Sequence, residues 1–147
     1  MEIKYYHLTY DDIETVSDME SKFFGQPWSA ASIATYMEKG NTIFLVAKHE
    51  EKIAGYAAVM CVLDEGNLVS IAVDEKYRKL GIASELLDIV YEEAKERGVT
   101  SINLEVRQSN TPAIKLYEKE KFEQVGQRKN FYKKPEEDAL LFLKKLC

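Results

Sequence analysis

The chain has 147 residues, 46% hydrophobic and 31% charged. That is the balance of a single globular domain spanning 1–147, long enough to bury a substantial core, and not that of a disordered chain. The net charge of −5 and a pI near 5.2 exclude a generally basic nucleic-acid-binding face, so no direct nucleic-acid contact is expected.

The longest uncharged apolar stretch, Ile53 to Leu63, falls well short of the ~20 residues of a membrane span. The opening "MEIKYYHLTYDD" lacks the basic and apolar regions of a signal peptide, so a cytoplasmic protein without membrane contact is expected. Cys61 and Cys147 have no metal-ligand spacing. Cys61 is expected as a small buried hydrophobe and Cys147 as an exposed terminal residue. His7 and His49 stand alone, with no carboxylate or cysteine at ligand spacing, and no metal is implied.

Glu2 to Leu8 reads as a first strand. Thr9, with Asp12 three residues later, opens a helix to about Phe24 with a capping-box-like start. "FFGQPWS" interrupts it with Gly25 and Pro27, and a second helix runs from about Ala30 to Lys39, closed by Gly40. "TIFLVAKHE" and "IAGYAAVMCVL", separated by Glu50-Glu51-Lys52, read as an antiparallel hairpin. Asp64-Glu65-Gly66 reads as the next turn, and "NLVSIAV" as a further strand.

The clearest helix covers Ser84 to Arg97. Leu86, Leu87, Val90, Tyr91 and Ala94 share one face, Glu93 and Arg97 form an i,i+4 pair, and Gly98 ends the element. "TSINLEV" alternates, with Ile102, Leu104 and Val106 on one face and Ser101, Asn103 and Glu105 on the other. Ser109 or Asn110 then caps a helix with Pro112 near its first position. Strands around Phe122–Tyr132 and Ala139–Lys144 finish the chain. The order β-α-α-β-β-β-α-β-α-β-β implies an α/β (α+β) fold, a mixed sheet with helices on both faces.

The stretch "SIAVDEKYRKLGIASELL" joins a strand to that best helix through a basic turn. The first amides of a helix lack intrahelical partners, and with the helix dipole they form an anion site. Gly81 leaves room for close backbone approach, Ala83 adds little bulk, and Arg78 and Lys79 supply attraction on an acidic protein. The turn is therefore able to hold a diphosphate, although the turn taken alone favours an ordinary strand-to-helix connection with a solvated basic pair. Neither a Walker loop nor the three-glycine dinucleotide fingerprint is present.

That turn is followed by "LEVRQSN" and "AIKLYEKEKF", with "QPWS" upstream and "GQRKNFYKKPEEDALLFL" downstream. Together these segments resemble the GCN5-related N-acetyltransferase (GNAT) superfamily, and within it the bacterial ribosomal-protein-alanine N-acetyltransferases (the RimI type). The resemblance spans nearly the whole chain in order. It implies the GNAT fold, a mixed and mostly antiparallel central sheet with helices on both faces. It also implies acetyl-CoA as cosubstrate without a metal, and an N-terminal protein segment, possibly ribosomal, as acceptor.

By the same resemblance, Ile71, Ala72 and Val73 offer backbone groups to the pantetheine arm. Lys79, Leu80, Gly81, Ile82, Ala83 and Ser84 hold the diphosphate, with Arg78 first in the pattern. Val73 offers an N–H to the reacting carbonyl, and Asn110 meets the cofactor from the next strand-helix junction. Glu105 falls at the position of the general base, and Tyr117 at that of the acid that protonates the CoA thiolate.

Taken alone, Glu105 reads as a solvated strand carboxylate and Tyr117 as a packed core tyrosine. Trp28, Phe131 and Tyr132 are candidates to wall the peptide entrance, and Trp28 reads equally as a core plug. An α-amine, with a pKa of about 7.7–8.0 against ~10.4 for lysine, needs less help from a base and favours an N-terminal acceptor. A small-amine acetyltransferase of the same fold and a non-catalytic CoA-binding module are the alternatives.

Overall fold

The computed structural model describes residues 1–24 and 27–146. Gly25, in the expected helix break, and Cys147, expected at the surface, lie outside the described residues. The elements follow the order read from the sequence: β1 (Lys4–His7), α1 (Ile13–Phe23), α2 (Ala30–Lys39), β2 (Thr42–His49), β3 (Lys52–Val62), β4 (Glu65–Val73), α3 (Ile82–Glu96), β5 (Ser101–Arg107), α4 (Thr111–Lys119), β6 (Glu123–Lys133) and β7 (Glu136–Lys145). A short 3-10 turn, Tyr10–Asp12, precedes α1, and another, Glu75–Tyr77, lies between β4 and α3. Seven strands form one sheet in the order β1-β2-β3-β4-β5-β7-β6. Every neighbouring pair is antiparallel except β4 with β5.

The sheet has a core on each face. In β2, Ile43, Leu45 and Ala47 join the core beneath α3, whereas Phe44 and Val46 join the core beneath α1 and α2. A strand buried on both faces reads as a continuous apolar run, which is why "TIFLVA" shows no alternation. Strand β5 does alternate, because only one of its faces is covered. Ile102, Leu104 and Val106 are buried while Glu105 is exposed.

A bulge adjusts β3, where Ala54 is the extra residue opposite the Ala47–Lys48 step. Ala54, Ala57 and Val59 consequently face α3 while Ile53, Tyr56 and Ala58 face α1 and α2.

Three local expectations are corrected. The turn between β3 and β4 is Leu63-Asp64, with Leu63 at φ 56°, so Glu65 and Gly66 belong to β4. Strand β7 begins at Glu136, three residues earlier than expected, because Lys133–Glu136 already pair across the β6–β7 turn. Cys61 is half-buried rather than buried, near the open end of β3.

The two histidines also find partners remote in sequence. His7 Nε2 lies 2.6 Å from Glu93 Oε1, and His49 Nδ1 lies 3.1 Å from the Tyr77 hydroxyl. Among the described residues no helix is long and apolar enough to cross a membrane.

Candidate active site

The site begins where the sheet fails to close. Strands β4 and β5 pair in parallel only from Glu65–Ser101 to Asn67–Asn103. Just beyond, β4 carries a second bulge: Ala58 faces Ser70 and Val59 faces Leu68, leaving Val69 as the extra residue. From there β4 follows β3 and β5 follows β7, so their inner edges part and leave backbone groups unpaired between them. At the point of parting, Asn67 Oδ1 is buried without a hydrogen-bond partner among the described residues. A cavity of about 650 Å³ occupies the opening.

On the β4 side the cavity is lined by Ile71, Ala72 and Val73. Gly55 on β3 lies directly behind them. A Cβ there would stand 2.8 Å from the Ala72 carbonyl oxygen, so only glycine lets β3 approach this closely. Sequence reading passed over Gly55. A glycine inside an otherwise apolar strand is the signal that marks such a close backbone approach.

The floor is the start of α3, contributed by Gly81, Ile82, Ala83 and Ser84. Gly81 is the N-cap in the left-handed region, at φ 78°, and no side chain caps the helix. A Cβ at Gly81 would meet nothing within 4 Å. The first-turn amides of α3 are therefore left with the cavity before them, an arrangement suited to a phosphate.

Lys79 also sits at positive φ, 66°, and both it and Arg78 line the cavity. The Arg78 Nε donates to the Val73 carbonyl oxygen at 3.2 Å, tying the turn to the end of β4, and the guanidinium lies 5.8 Å from the Phe23 ring.

The opposite wall comes from β5, α4 and β6. Asn110 lines the cavity and caps α4 by accepting from the Ala113 N–H at 3.3 Å, a bond that uses the side-chain oxygen and not the amide donors. Glu105 lines the cavity from the uncovered face of β5, and Tyr117 lines it from α4. The Tyr117 ring packs 5.7 Å from Phe122 and 6.3 Å from Phe142. Burial, with Tyr132 beside it, pushes its pKa up to about 12, so the hydroxyl carries its proton throughout the physiological range. Tyr132 lines the cavity as well, and burial followed by the Glu105 carboxylate raises its pKa. Glu105, Tyr117 and Tyr132 thus share one space, which their positions in the sequence do not reveal.

Three of the expected contacts lie away from the cavity. Trp28 packs 4.8 Å from Tyr36 and 6.1 Å from Phe44 against the α1–α2 core. Its backbone is clamped, the N–H donating to Glu20 at 3.3 Å and the carbonyl accepting from Ser17 at 3.2 Å. Leu80 points outward, 52% exposed, because the left-handed residues on either side of it turn the chain. Phe131 is 41% exposed, since successive residues of an edge strand face opposite ways and Tyr132 takes the inward place.

The structure adds wall residues with no motif in the sequence, among them Phe23 and Phe24 at the end of α1 and Ser70 at the β4 bulge. Ser70 also belongs to a buried cluster. Its hydroxyl donates to Glu20 Oε2 at 2.7 Å and the Tyr56 hydroxyl donates to the same oxygen at 2.6 Å. Among the described residues no group of three or more His, Cys, Asp or Glu is placed to hold a metal.

Comparison with known proteins identifies this architecture. The model of the acetyltransferase (GNAT) family matches residues 13–122. The chain is 34% identical over 132 residues to the [ribosomal protein bS18]-alanine N-acetyltransferase of Escherichia coli K12, covering 88% of each protein. The crystal structure of the ribosomal-protein-S18-alanine N-acetyltransferase from Escherichia coli superposes with a TM-score of 0.88 at 31% identity, covering 99% of this chain and 94% of that one. Arabidopsis thaliana NAA60 in complex with acetyl-CoA shares the fold, with a TM-score of 0.89 at 21% identity over 98% of each chain. With a family match over most of its length and a splayed sheet to go with it, the chain belongs to the acetyltransferase (GNAT) family.

Proposed function

We propose that this N-acetyltransferase acetylates the N-terminal amine of a protein, with ribosomal protein bS18 or its counterpart as acceptor, and that the whole chain works as one catalytic domain. Acetyl-CoA is the acetyl donor of the family. The observation that carries the reading is the meeting of Glu105, Tyr117 and the uncapped start of α3 around one cavity. The activity named for the Escherichia coli relative supports the choice of acceptor.

In this reading the α3 amides and the Gly81 backbone receive the diphosphate, with Arg78 and Lys79 supplying attraction. The open edge of β4 at Ile71–Val73 offers N–H and carbonyl groups to the amide-bearing pantetheine arm, and Asn110 donates from its side chain. Glu105 accepts the proton that the amine gives up as the new C–N bond forms, directly or through water. Tyr117 donates to the sulfur as the C–S bond breaks. Exchange with solvent then returns Glu105 and Tyr117 to their starting states, and the products are an amide and a free thiol. An acceptor amine near pKa 7.7–8.0 is partly neutral at pH 7, so a single carboxylate suffices.

The test is a screen of N-terminal peptides and free amines with labelled acetyl-CoA, the modified nitrogen being located by tandem mass spectrometry. Label on the α-amine of an alanine-first peptide is expected. A Glu105→Gln variant should slow that transfer about a hundredfold, within the range for loss of a general base. Efficient labelling of polyamines with peptides untouched, or an unchanged rate in the variant, overturns the reading.

A further inference from the structure

Arg107 ends β5 inside "LEVRQSN", and the reaction outlined above gives it no task. Its surroundings are specific. The guanidinium carbon lies 4.3 Å from the centroid of the Tyr132 ring. Its Nη1 donates to the Pro135 carbonyl oxygen at 2.9 Å and to Glu137 Oε1 at 3.2 Å, and its Nη2 donates to the Lys134 carbonyl oxygen at 3.4 Å. The second Glu137 oxygen accepts from the Ser109 backbone N–H at 2.6 Å, one residue before the cap of α4. Bonding from Ser109 and then from Arg107 holds the Glu137 carboxyl below the usual carboxylate range, so it stays ionised opposite the guanidinium.

One planar side chain therefore ties the β6–β7 tip to the β5–α4 junction. The sheet alone does not secure that tip. The β6–β7 register is irregular between Arg128 and Tyr132, and the last regular pairs beside the turn are Tyr132–Glu137 and Lys133–Glu136. Tyr132 thus stands on an edge strand just past a break in its ladder, yet its side chain lines the cavity with Glu105 and Tyr117. A lysine could supply charge at Arg107 but neither the flat stack nor the fork that serves three acceptors.

We propose that Arg107 is a positioning residue for acetyl transfer: stacked on Tyr132 and anchored to the hairpin tip, it holds that ring as the wall between Glu105 and Tyr117 and acts on the acceptor through Tyr132. The inference rests on the reading of the site given above. It differs from a general structural role in one measurable way, since an effect transmitted through Tyr132 disappears when Tyr132 is removed.

The experiment is a double-mutant cycle of Arg107→Ala and Tyr132→Ala. Both KM values and kcat are measured with an alanine-first peptide, or with whichever amine the wild-type protein acetylates. Arg107→Ala is expected to raise KM for the acceptor about tenfold and leave KM for acetyl-CoA within twofold. Adding Arg107→Ala to Tyr132→Ala is expected to change kcat/KM by less than twofold. Arg107→Lys, which retains charge and tolerates the fold more readily, should behave like Arg107→Ala. A tenfold further loss in the Tyr132→Ala background, an equal rise in both KM values, or full activity in Arg107→Lys overturns the proposal. Failure of the wild-type protein to acetylate any peptide strikes the acceptor assignment and leaves the cycle interpretable with the amine that is used.

Discussion

Replacing Tyr117 by Phe removes a single hydroxyl from the cavity and little else. The ring contacts with Phe122 and Phe142 are retained, and no hydrogen bond from that hydroxyl is formed among the described residues. Stability should therefore change by under about 1 kcal/mol, which for a chain of this size moves Tm by no more than about 2–4 °C.

Catalysis should respond far more. A positioned proton donor contributes about 10²–10⁴-fold, so kcat is expected to fall at least a hundredfold, or about 2.7 kcal/mol in barrier. The pKa of about 12 adds a second expectation. A donor at that value keeps its proton across the whole assayed range, so Tyr117 stays able to donate to the departing sulfur throughout. Its own ionisation cannot shape the rate profile below about pH 11.

The assay is release of free thiol from acetyl-CoA between pH 6 and 10 at saturating peptide. The variant profile should be lowered uniformly, with its alkaline shape unchanged. A kcat within twofold of wild type refutes the reasoning, as does loss in the variant of an alkaline limb near pH 9 that the wild type shows.

Gly81→Val places a β-branched residue at φ 78°, costing about 1–2 kcal/mol for the left-handed backbone, while its Cβ meets no neighbour within 4 Å. The folded state should survive with Tm lowered by a few degrees, and calorimetry should show CoA affinity reduced more than tenfold; unchanged affinity rules out close backbone approach at Gly81. Glu20→Ala leaves the buried Tyr56 and Ser70 hydroxyls without their shared acceptor, so urea unfolding should show a loss of about 2–4 kcal/mol. Adding Tyr56→Phe should recover part of it, and equal stability of Glu20→Ala and wild type contradicts the packing described. Tyr56, Tyr91 and Tyr117 all have pKa values raised above 10, by burial first and, for Tyr56 and Tyr91, then by Glu20 and Glu120 respectively. The native state then keeps protons that the unfolded chain releases, so their contribution is complete below about pH 10 and is lost as pH rises through the native values. The urea midpoint should drop steeply from pH 9.5 to 11, and a flat profile there counts against burial of these hydroxyls.

Local patterning made most of the elements legible. The Leu86–Ala94 stripe announced α3, the alternation of Ile102, Leu104 and Val106 announced β5, and Ser109 or Asn110 with Pro112 marked the start of α4, where the structure selects Asn110. These signals act over a turn of helix or a few residues of strand, where periodicity and capping depend on near neighbours. The apolar runs of β2 and β3 announced a hairpin, and the two cores explain why neither run alternates.

That a helix, with its positive end, follows the basic turn was also legible in the sequence, because the turn and the apolar stripe behind it are local patterns. Tertiary structure alone decided what faces it. The bulge at Val69 separates β4 from β5, and only that separation brings Glu105, Tyr117 and Tyr132 to one cavity with the α3 amides. Leu80 and Ser84 were indistinguishable by motif, yet left-handed turning at Lys79 and Gly81 sends one side chain outward and leaves the other on the cavity wall. Trp28 went to the core because Ser17 and Glu20, eleven and eight residues earlier, hold its backbone. Arg107 drew no notice in "LEVRQSN", since its partners lie some 25–30 residues onward, across a hairpin whose return no local pattern encodes.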